Sequence, residues 1–443
     1  EGCPARDPGA ILPGAAARRP IRGGSDGRSV MARFPRRAPQ RLRAYWRAEA
    51  RTLRQGLAAL FVSSGGDLLA GLALAFMDDS LQRLPSLFLL IPAAIGMRGN
   101  IFGALGSRLS TGILAGEFEV SRDREGFLGQ NVLGAVYLTL ATSLFLGAAA
   151  RGAAAAFGFT SISLWDFVVV SILGGALGSL VVGAASIALA ITSNARGWDL
   201  DSVSAPIVTA IGDVATLPAL WAASFLVAIP GVTVTVGVIA GLVCVWATVR
   251  GLATDLPRTR RIVRESIPVL ALAGLLDILA GTILEARLEH FIAYPALLVM
   301  IPPFLEDTNA LSGILSSRLA SKLHIGAIEP RAIPRGLAWV DISITFVFAT
   351  AVFLLVGISA DVVAALTGRA SPGALVMIGI ALVAGLAATV LACGVAYYSA
   401  VATFRFGLDP DNHGIPISSS VMDLAGTICL VAAIILFGVT AHG

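Results

Sequence analysis

The sequence predicts an all-α membrane protein: 11 transmembrane helices forming two parallel five-helix repeats around a pseudo-two-fold axis along the membrane normal, with one linker helix between them. Three observations carry that expectation. Only 14% of the 443 residues are charged and 56% are hydrophobic, against about 25% charged in soluble domains. Apolar runs of about 20 residues, the length that crosses a bilayer, recur along the whole chain. Finally, scarce polar residues return at a fixed spacing of 210, so that Asp67 matches Asp277 and Asp213 matches Asp423.

The N-terminal segment, residues 1–55, reads as a basic cytoplasmic stretch. Residues 1–30 are rich in Gly, Ala, Pro and Arg without an apolar period, and Met31 opens an Arg-rich run to Arg54. Met31 is the expected natural start, with residues 1–30 disordered or extraneous; the segment lacks the apolar core and cleavage site of a signal peptide. Residues 39–55 fit either a basic amphipathic helix on anionic lipid or a solvated tail. The pI of about 9.1 comes largely from this tail and marks orientation rather than nucleic-acid binding.

The repeat is legible in paired landmarks. Asp67-Leu-Leu-Ala-Gly71 matches Asp277-Ile-Leu-Ala-Gly281, and Pro85 and Pro92 match Pro295 and Pro302. Ser107-Arg108-Leu109 matches Ser317-Arg318-Leu319, and Asp199, Asp201 and Pro206 match Asp409, Asp411 and Pro416. Shared apolar residues could be coincidence in so apolar a chain; repeated pairs of Asp could not. Internal periodicity of this kind decides architecture.

Within the first repeat (56–230) the expected spans are 56–77, 85–109, 131–156, 164–194 and 202–228. Within the second (266–443) they are 266–287, 295–319, 338–360, 373–401 and 412–438. An orphan segment at 232–249 belongs to neither and, with the basic loop after it, makes up a linker over 231–265. Five spans reverse the chain's side, so direct fusion would invert the second copy. One extra span restores the side and makes the copies parallel. If the N-terminus is cytoplasmic, the inner loops hold Arg122, Arg124, Arg196, the Arg250–Arg264 cluster, Lys322, Arg331, Arg335 and Arg405. The outer loops hold only Arg83, Arg151, Arg287 and Arg369. That asymmetry places the N-terminus inside and the C-terminus outside.

Acidic groups inside spans are the strongest functional signal. Asp67, Asp213, Asp277, Asp423, Glu306 and Asp307 fall within or near the ends of expected spans. At about 2.5–3.5 kcal/mol each, six lipid-facing acids would cost on the order of 15 kcal/mol. They must face water, pair with a cation, or carry protons. Asp213 and Asp423 each follow a Pro by seven residues in a Ser- and Thr-rich stretch. Facing each other, they would offer two carboxylates to a hard cation held with its water, as Mg²⁺ prefers. A hydrogen bond to a neighbouring helix is the competing role for each, and Asp67 and Asp277 read equally as cavity lining or helix-packing bonds. Pro92–Asn100 and Pro302–Asn309 combine Pro with small polar residues, freeing backbone carbonyls toward a cavity and offering Asn100 and Asn309 as neutral ligands; a plain kink is the alternative. Arg108 and Arg318 read as snorkelling side chains.

These residues resemble the MgtE-type magnesium transporters, in the tandem form typified by solute carrier family 41. GNIFGALGSRLSTGILAG (99–116) and its weaker copy NALSGILSSRLASKLHIG (309–326) carry the likeness, with DLDSVSAPIVTAIGD (199–213) and DPDNHGIPISSSVMD (409–423). The resemblance covers about residues 56–438. It implies Mg²⁺ as cargo with no resident cofactor, a pore between the second and fifth helices of each unit, and Asp213 and Asp423 at the central ion site. It further implies a single-chain pseudo-dimer in the lipid bilayer where bacterial relatives form homodimers. No regulatory domain precedes the first span, so a magnesium-sensing gate is expected to be absent. Two departures stand out: Arg98 before Gly99-Asn100, and Glu306-Asp307-Thr308 in place of the glycine-rich run, with Asn309 one residue out of register. Arg98 is expected to pair with Glu306 or Asp307 across the axis.

A transporter of another cation or a small organic solute is the second reading, weakened by an aromatic content of only 7%. An enzyme is not expected. The four His residues form no zinc-binding helix motif, and no nucleophile–base spacing is present. The cysteines (Cys3, Cys244, Cys393, Cys429) show no paired spacing.

Overall fold

The computed structural model describes residues 50–121, 123–196, 200–229, 231–406 and 415–439. Of the expected amphipathic helix at 39–55, residues 39–49 lie outside them and 50–55 open the first helix; the Asp199, Asp409 and Asp411 landmarks also lie outside them. The described chain is helical throughout. In the first repeat the order is α1 (Ala50–Phe76), short α2 (Asp78–Arg83), α3 (Leu90–Leu114), α4 (Phe127–Ala156), α5 (Leu164–Arg196) and α6 (Leu200–Ser224). The linker is α7 (Val232–Ala253). The second repeat runs α8 (Pro257–Glu285), short α9 (Leu288–Ala293), α10 (Ala296–His324), α11 (Leu337–Leu366), α12 (Ala374–Phe406) and α13 (Ile415–Leu436).

Ten of the described helices are long and apolar enough to cross a membrane. The eleventh expected span falls on α10, which is 29 residues long. Its Glu306, Asp307, Thr308 and Asn309 lower its hydropathy below that of its neighbours. One boundary differs from expectation in an informative way. The basic stretch 257–264 is not a loop: it forms the first turns of α8, which Pro257 opens at a position where its missing N–H costs nothing. Pro302 and Pro303 do not break α10, and Pro92 sits in the first turn of α3. The prolines leave those helices continuous.

The 210 spacing reappears as matched contacts. Short α2 and α9 occupy equivalent positions, Asp78 and Leu288 each opening one. Gly147 of α4 packs against the Phe167–Val168 backbone, and Gly357 of α11 against Met377–Ile378. Arg108 reaches Asn131 at 3.1 Å, and Arg318 reaches Asp341 at 3.0–3.1 Å. These arginines tie the second helix of each repeat to the third instead of snorkelling, and in the second copy Lys322 joins the same carboxylate at 2.5 Å.

The first helices cross between copies. Gly71 of α1 lies against Val299 in the first turn of α10, and Gly281 of α8 lies against Leu89 just before α3. In addition, α8 packs on α3 and α4 of the first repeat as well as on its own α13, while Gly56 of α1 meets Phe348 of α11. Each repeat is therefore completed by the other's first helix. Linker α7 packs on α4 and α5 and turns large apolar side chains outward, among them Leu242 and Trp246. Such an all-round apolar surface suits hydrocarbon, and helices satisfy their backbone internally there. The protein is an integral multi-pass membrane protein.

Candidate ion site

A carboxylate deep in a helical bundle must find partners or positive charge, because an uncompensated buried charge costs several kcal/mol. Asp67, Asp213, Asp277, Asp307 and Asp423 are all buried, Asp67 and Asp277 completely, and Glu306 is largely so. They group by repeat. Asp67 on α1 neighbours Asp213 on α6; Asp277 on α8 neighbours Asp423 on α13. Each pair joins the first and fifth helices of one copy, and the two pairs are related by the 210 spacing. Asp213 also lies within electrostatic range of Asp423, Asp67 and Glu306, so the two pairs share one field.

Helix α3 and its counterpart α10 meet these pairs differently. The Oδ2 atoms of Asp277 and Asp423 converge on the bare Cα of Gly96: a methyl there would lie 2.9 and 3.3 Å from them. The equivalent position on α10 is Glu306, which lies within electrostatic range of Asp67, Asp213 and Asp423. One half of the site thus gains a carboxylate where the other lets two carboxylates close onto a bare glycine. Asn309 donates from Nδ2 to Asp423 Oδ1 at 2.8 Å, and its one-residue shift from the register of Asn100 turns it toward that acid. Asp307 accepts from Ser64 Oγ, 2.7 Å from Oδ2 and 2.8 Å from Oδ1, a bond between α10 and the other repeat's α1. Ser63 donates to Asp67 Oδ2 at 3.5 Å.

The partners are incomplete. Among the described residues Asp67 Oδ1, Asp213 Oδ2, both oxygens of Asp277 and Asp423 Oδ2 are buried without a hydrogen bond. Buried polar atoms are nearly always paired, and these all belong to one cluster. The same described residues hold no group of three or more His, Cys, Asp or Glu set to enclose a metal directly.

Asn100 stands apart. It follows Gly96 by one turn on the same face of α3 and lines a small cavity with Arg108, Ser266 and Pro416; no described acid bonds it. Arg98 does not pair with Glu306 or Asp307. Among the described residues it forms no ion pair, and its Nη1 donates to Ala94 O at 3.0 Å. Two residues turn a helix by about 200°, so Arg98 leaves α3 on the side opposite Gly96, toward α4 and α5. Ser64, Ser63 and Gly96 were not singled out from the sequence. A signal for Gly96 exists there, since it occupies the Glu306 position of its own repeat.

A methyl at Gly96 tests this close approach directly. Gly96→Ala places an apolar group against two carboxylates while adding a better helix former, worth about 1 kcal/mol. Expected is a ~10-fold or greater loss of cation flux with thermal stability unchanged or raised; flux at the wild-type level would show that transport does not use the approach of the two acids to Gly96.

Comparison with known proteins shows the same repeat. The sequence signature of the MgtE divalent cation transporters matches residues 91–223 and again 301–433, the same 210 apart. Together the two matches cover more than half of the chain and run from the second helix to the fifth in each repeat. The chain is 25% identical to solute carrier family 41 member 3 of Mus musculus over 390 residues, 83% of this chain and 79% of the relative. Against the Rattus norvegicus protein of the same name the figure is 25% over 404 residues, 85% of each. Solute carrier family 41 member 2 of Homo sapiens is 24% identical over 297 residues, 63% of this chain and 50% of the relative. No solved structure matches the chain significantly. With a transporter signature laid twice over the helices that carry Asp213, Glu306, Asp307 and Asp423, the chain belongs to the MgtE family of divalent cation transporters.

Proposed function

We propose that the chain moves Mg²⁺ across the membrane through a path at the interface of its two repeats, lined by α3, α6, α10 and α13. The central ion site is formed by Asp213 and Asp423, flanked by Asp67, Asp277, Glu306 and Asp307, with Asn309 and Asn100 as neutral oxygens. One observation carries the reading: two symmetry-related carboxylate pairs with unpartnered oxygens, buried where only positive charge offsets them. Mg²⁺ dehydrates reluctantly and is commonly held through one or two carboxylates with its water, which favours it over ions that demand a dry cage. The eleven spans form two parallel repeats, and the crossed first helices act within a single-chain pseudo-dimer. Loop charge orients the N-terminus to the cytoplasm and the C-terminus outside.

The test is flux in a defined system. Purified protein in liposomes loaded with a Mg²⁺-sensitive dye is expected to pass Mg²⁺ down its gradient, and expression is expected to rescue growth of a cell lacking magnesium uptake. Absence of both, with flux of a different cation, would replace magnesium by that cation; no metal flux at all would remove the reading.

A further inference from the structure

Arg98 is 2% exposed inside the bundle, and guanidinium remains charged in proteins. Its Nη1 bonds a backbone carbonyl of its own helix, Ala94 O, which leaves the charge unopposed. Its Nε has no partner among the described residues, and neither does Ser143 Oγ on α4, itself 1% exposed. The two groups meet at Gly175 of α5, where a Cβ would collide with both Arg98 Nη2 and Ser143 Oγ. Ser143 O is already taken by the hydroxyl of Ser171 at 2.7 Å. The niche thus presents N–H and O–H donors, and the missing side chain of Gly175 lets both groups come close against α5.

The second repeat provides an internal control at the same place. Thr308 stands where Arg98 does, Phe353 where Ser143 does, Phe304 where Ala94 does and Gly385 where Gly175 does. There Thr308 Oγ1 donates to Phe304 O at 2.8 Å, the bond that Arg98 makes to Ala94 O. Phe353 and Phe304 pack with ring centroids 5.1 Å apart, both fully buried. Gly385 lies against the Phe353 ring. The fold therefore closes this niche with apolar side chains in one copy, yet in the other it holds a cation and an unpaired hydroxyl. A fold that can fill the space with two phenyl rings does not need a buried arginine for packing.

We propose that the niche of Arg98, Ser143 and Gly175 binds a single-atom anion, chloride in ordinary solutions. Water would meet the hydrogen bonds but leave the charge uncompensated, and burying an unpaired charge is the larger cost. The acidic cluster lies on the opposite face of α3 and has its own positive charge to bind.

The test uses the full chain in detergent, with stability as the readout, so that its outcome is independent of the magnesium reading. Exchanging chloride for gluconate at constant ionic strength is expected to lower the wild-type Tm by ~3 °C, the loss of a ligand present well above its Kd. Bromide is expected to restore it. Arg98→Gln is expected to show no difference between the salts. Should that variant fail to fold, A94F combined with R98T and S143F reproduces the second repeat's filling and is expected to fold with the same insensitivity. A wild-type Tm identical in chloride, bromide and gluconate overturns the proposal, as does a halide dependence that survives in either variant. Anomalous scattering from bromide-grown crystals is expected to place the ion beside Arg98; a niche without it would do the same.

Discussion

Asp423→Asn and Asp213→Asn are expected to reduce cation transport below ~1% of wild type while raising the thermal stability of the ion-free protein. The two effects share one cause. At an effective dielectric of about 20, a carboxylate ~5 Å from a divalent ion contributes roughly 7 kcal/mol of attraction. Much of that offsets the ion's partial loss of water, and a surplus of about 2.7 kcal/mol already corresponds to a hundredfold in affinity. Without the ion, the same charge only repels its neighbour, by ~3 kcal/mol at similar separation and dielectric. Asparagine removes the charge and keeps the shape. At position 423 it also keeps an Oδ1 to accept the Asn309 hydrogen bond of 2.8 Å, so a lost structural contact cannot explain a lost flux. Mg²⁺ is expected to raise the Tm of the wild type, as any ligand of the native state does, and to leave the Asn variants unmoved. The measurements are liposome flux and unfolding curves with and without Mg²⁺. If Asp423→Ala is inactive but Asp423→Asn transports normally, the residue is a hydrogen-bond acceptor and the central-site assignment falls. Stability gained at the expense of function is the general signature of a strained functional site.

Much of this was legible in the sequence because charge inside a membrane is scarce. Asp67, Asp213, Asp277 and Asp423 identified both the repeat and the candidate site, since each is costly to place and each returns at the same spacing. Helix direction was less legible. Arg98 and Glu306 are both charged and sit in matching helices, which invites pairing, but they differ by two positions in the repeat register and so point to opposite faces of their helices. Counting 100° per residue from Gly96 would have shown this. In the sequence Arg318 reads as an interfacial side chain, because nothing local announces that Asp341, 23 residues on, lies beside it at 3.0–3.1 Å. The niche around Arg98 was hidden for a different reason: it depends on Ser143 and Gly175 arriving from two further helices, and only the fold brings them together. The crossed first helices were likewise invisible, since Gly71 and Gly281 served as repeat markers without indicating what lies against them.

Those two glycines carry the second large expectation. A Cβ at Gly71 would fall within 2.8 Å of Val299 C and 3.0 Å of its Cα, and one at Gly281 within 2.8 Å of both Leu89 C and Cα. The obstacle in each case is backbone, so no rotamer change relieves it. Overpacking costs about 1–3 kcal/mol, and the rigid obstacle puts these sites at the upper end. Alanine's helix propensity returns about 1 kcal/mol, leaving Gly71→Ala and Gly281→Ala each destabilised by ~2 kcal/mol. Gly71→Leu and Gly281→Leu are expected to prevent stable folding. Function is expected to suffer before stability fails. Asp67 precedes Gly71 by four residues and Asp277 precedes Gly281 by four, so acid and crossing point share one helix face. Pushing the crossing apart withdraws the acid from Asp213 or Asp423. Transport by the alanine variants is therefore expected to fall further than their share of folded protein, measured as flux per molecule recovered in a monodisperse peak. Because the crossings are separate copies of one contact, the double variant should lose the sum of the single losses in stability. Wild-type flux and Tm in both alanine variants would mean that α1 and α8 slide without cost, and that the tight crossing does not position the acids.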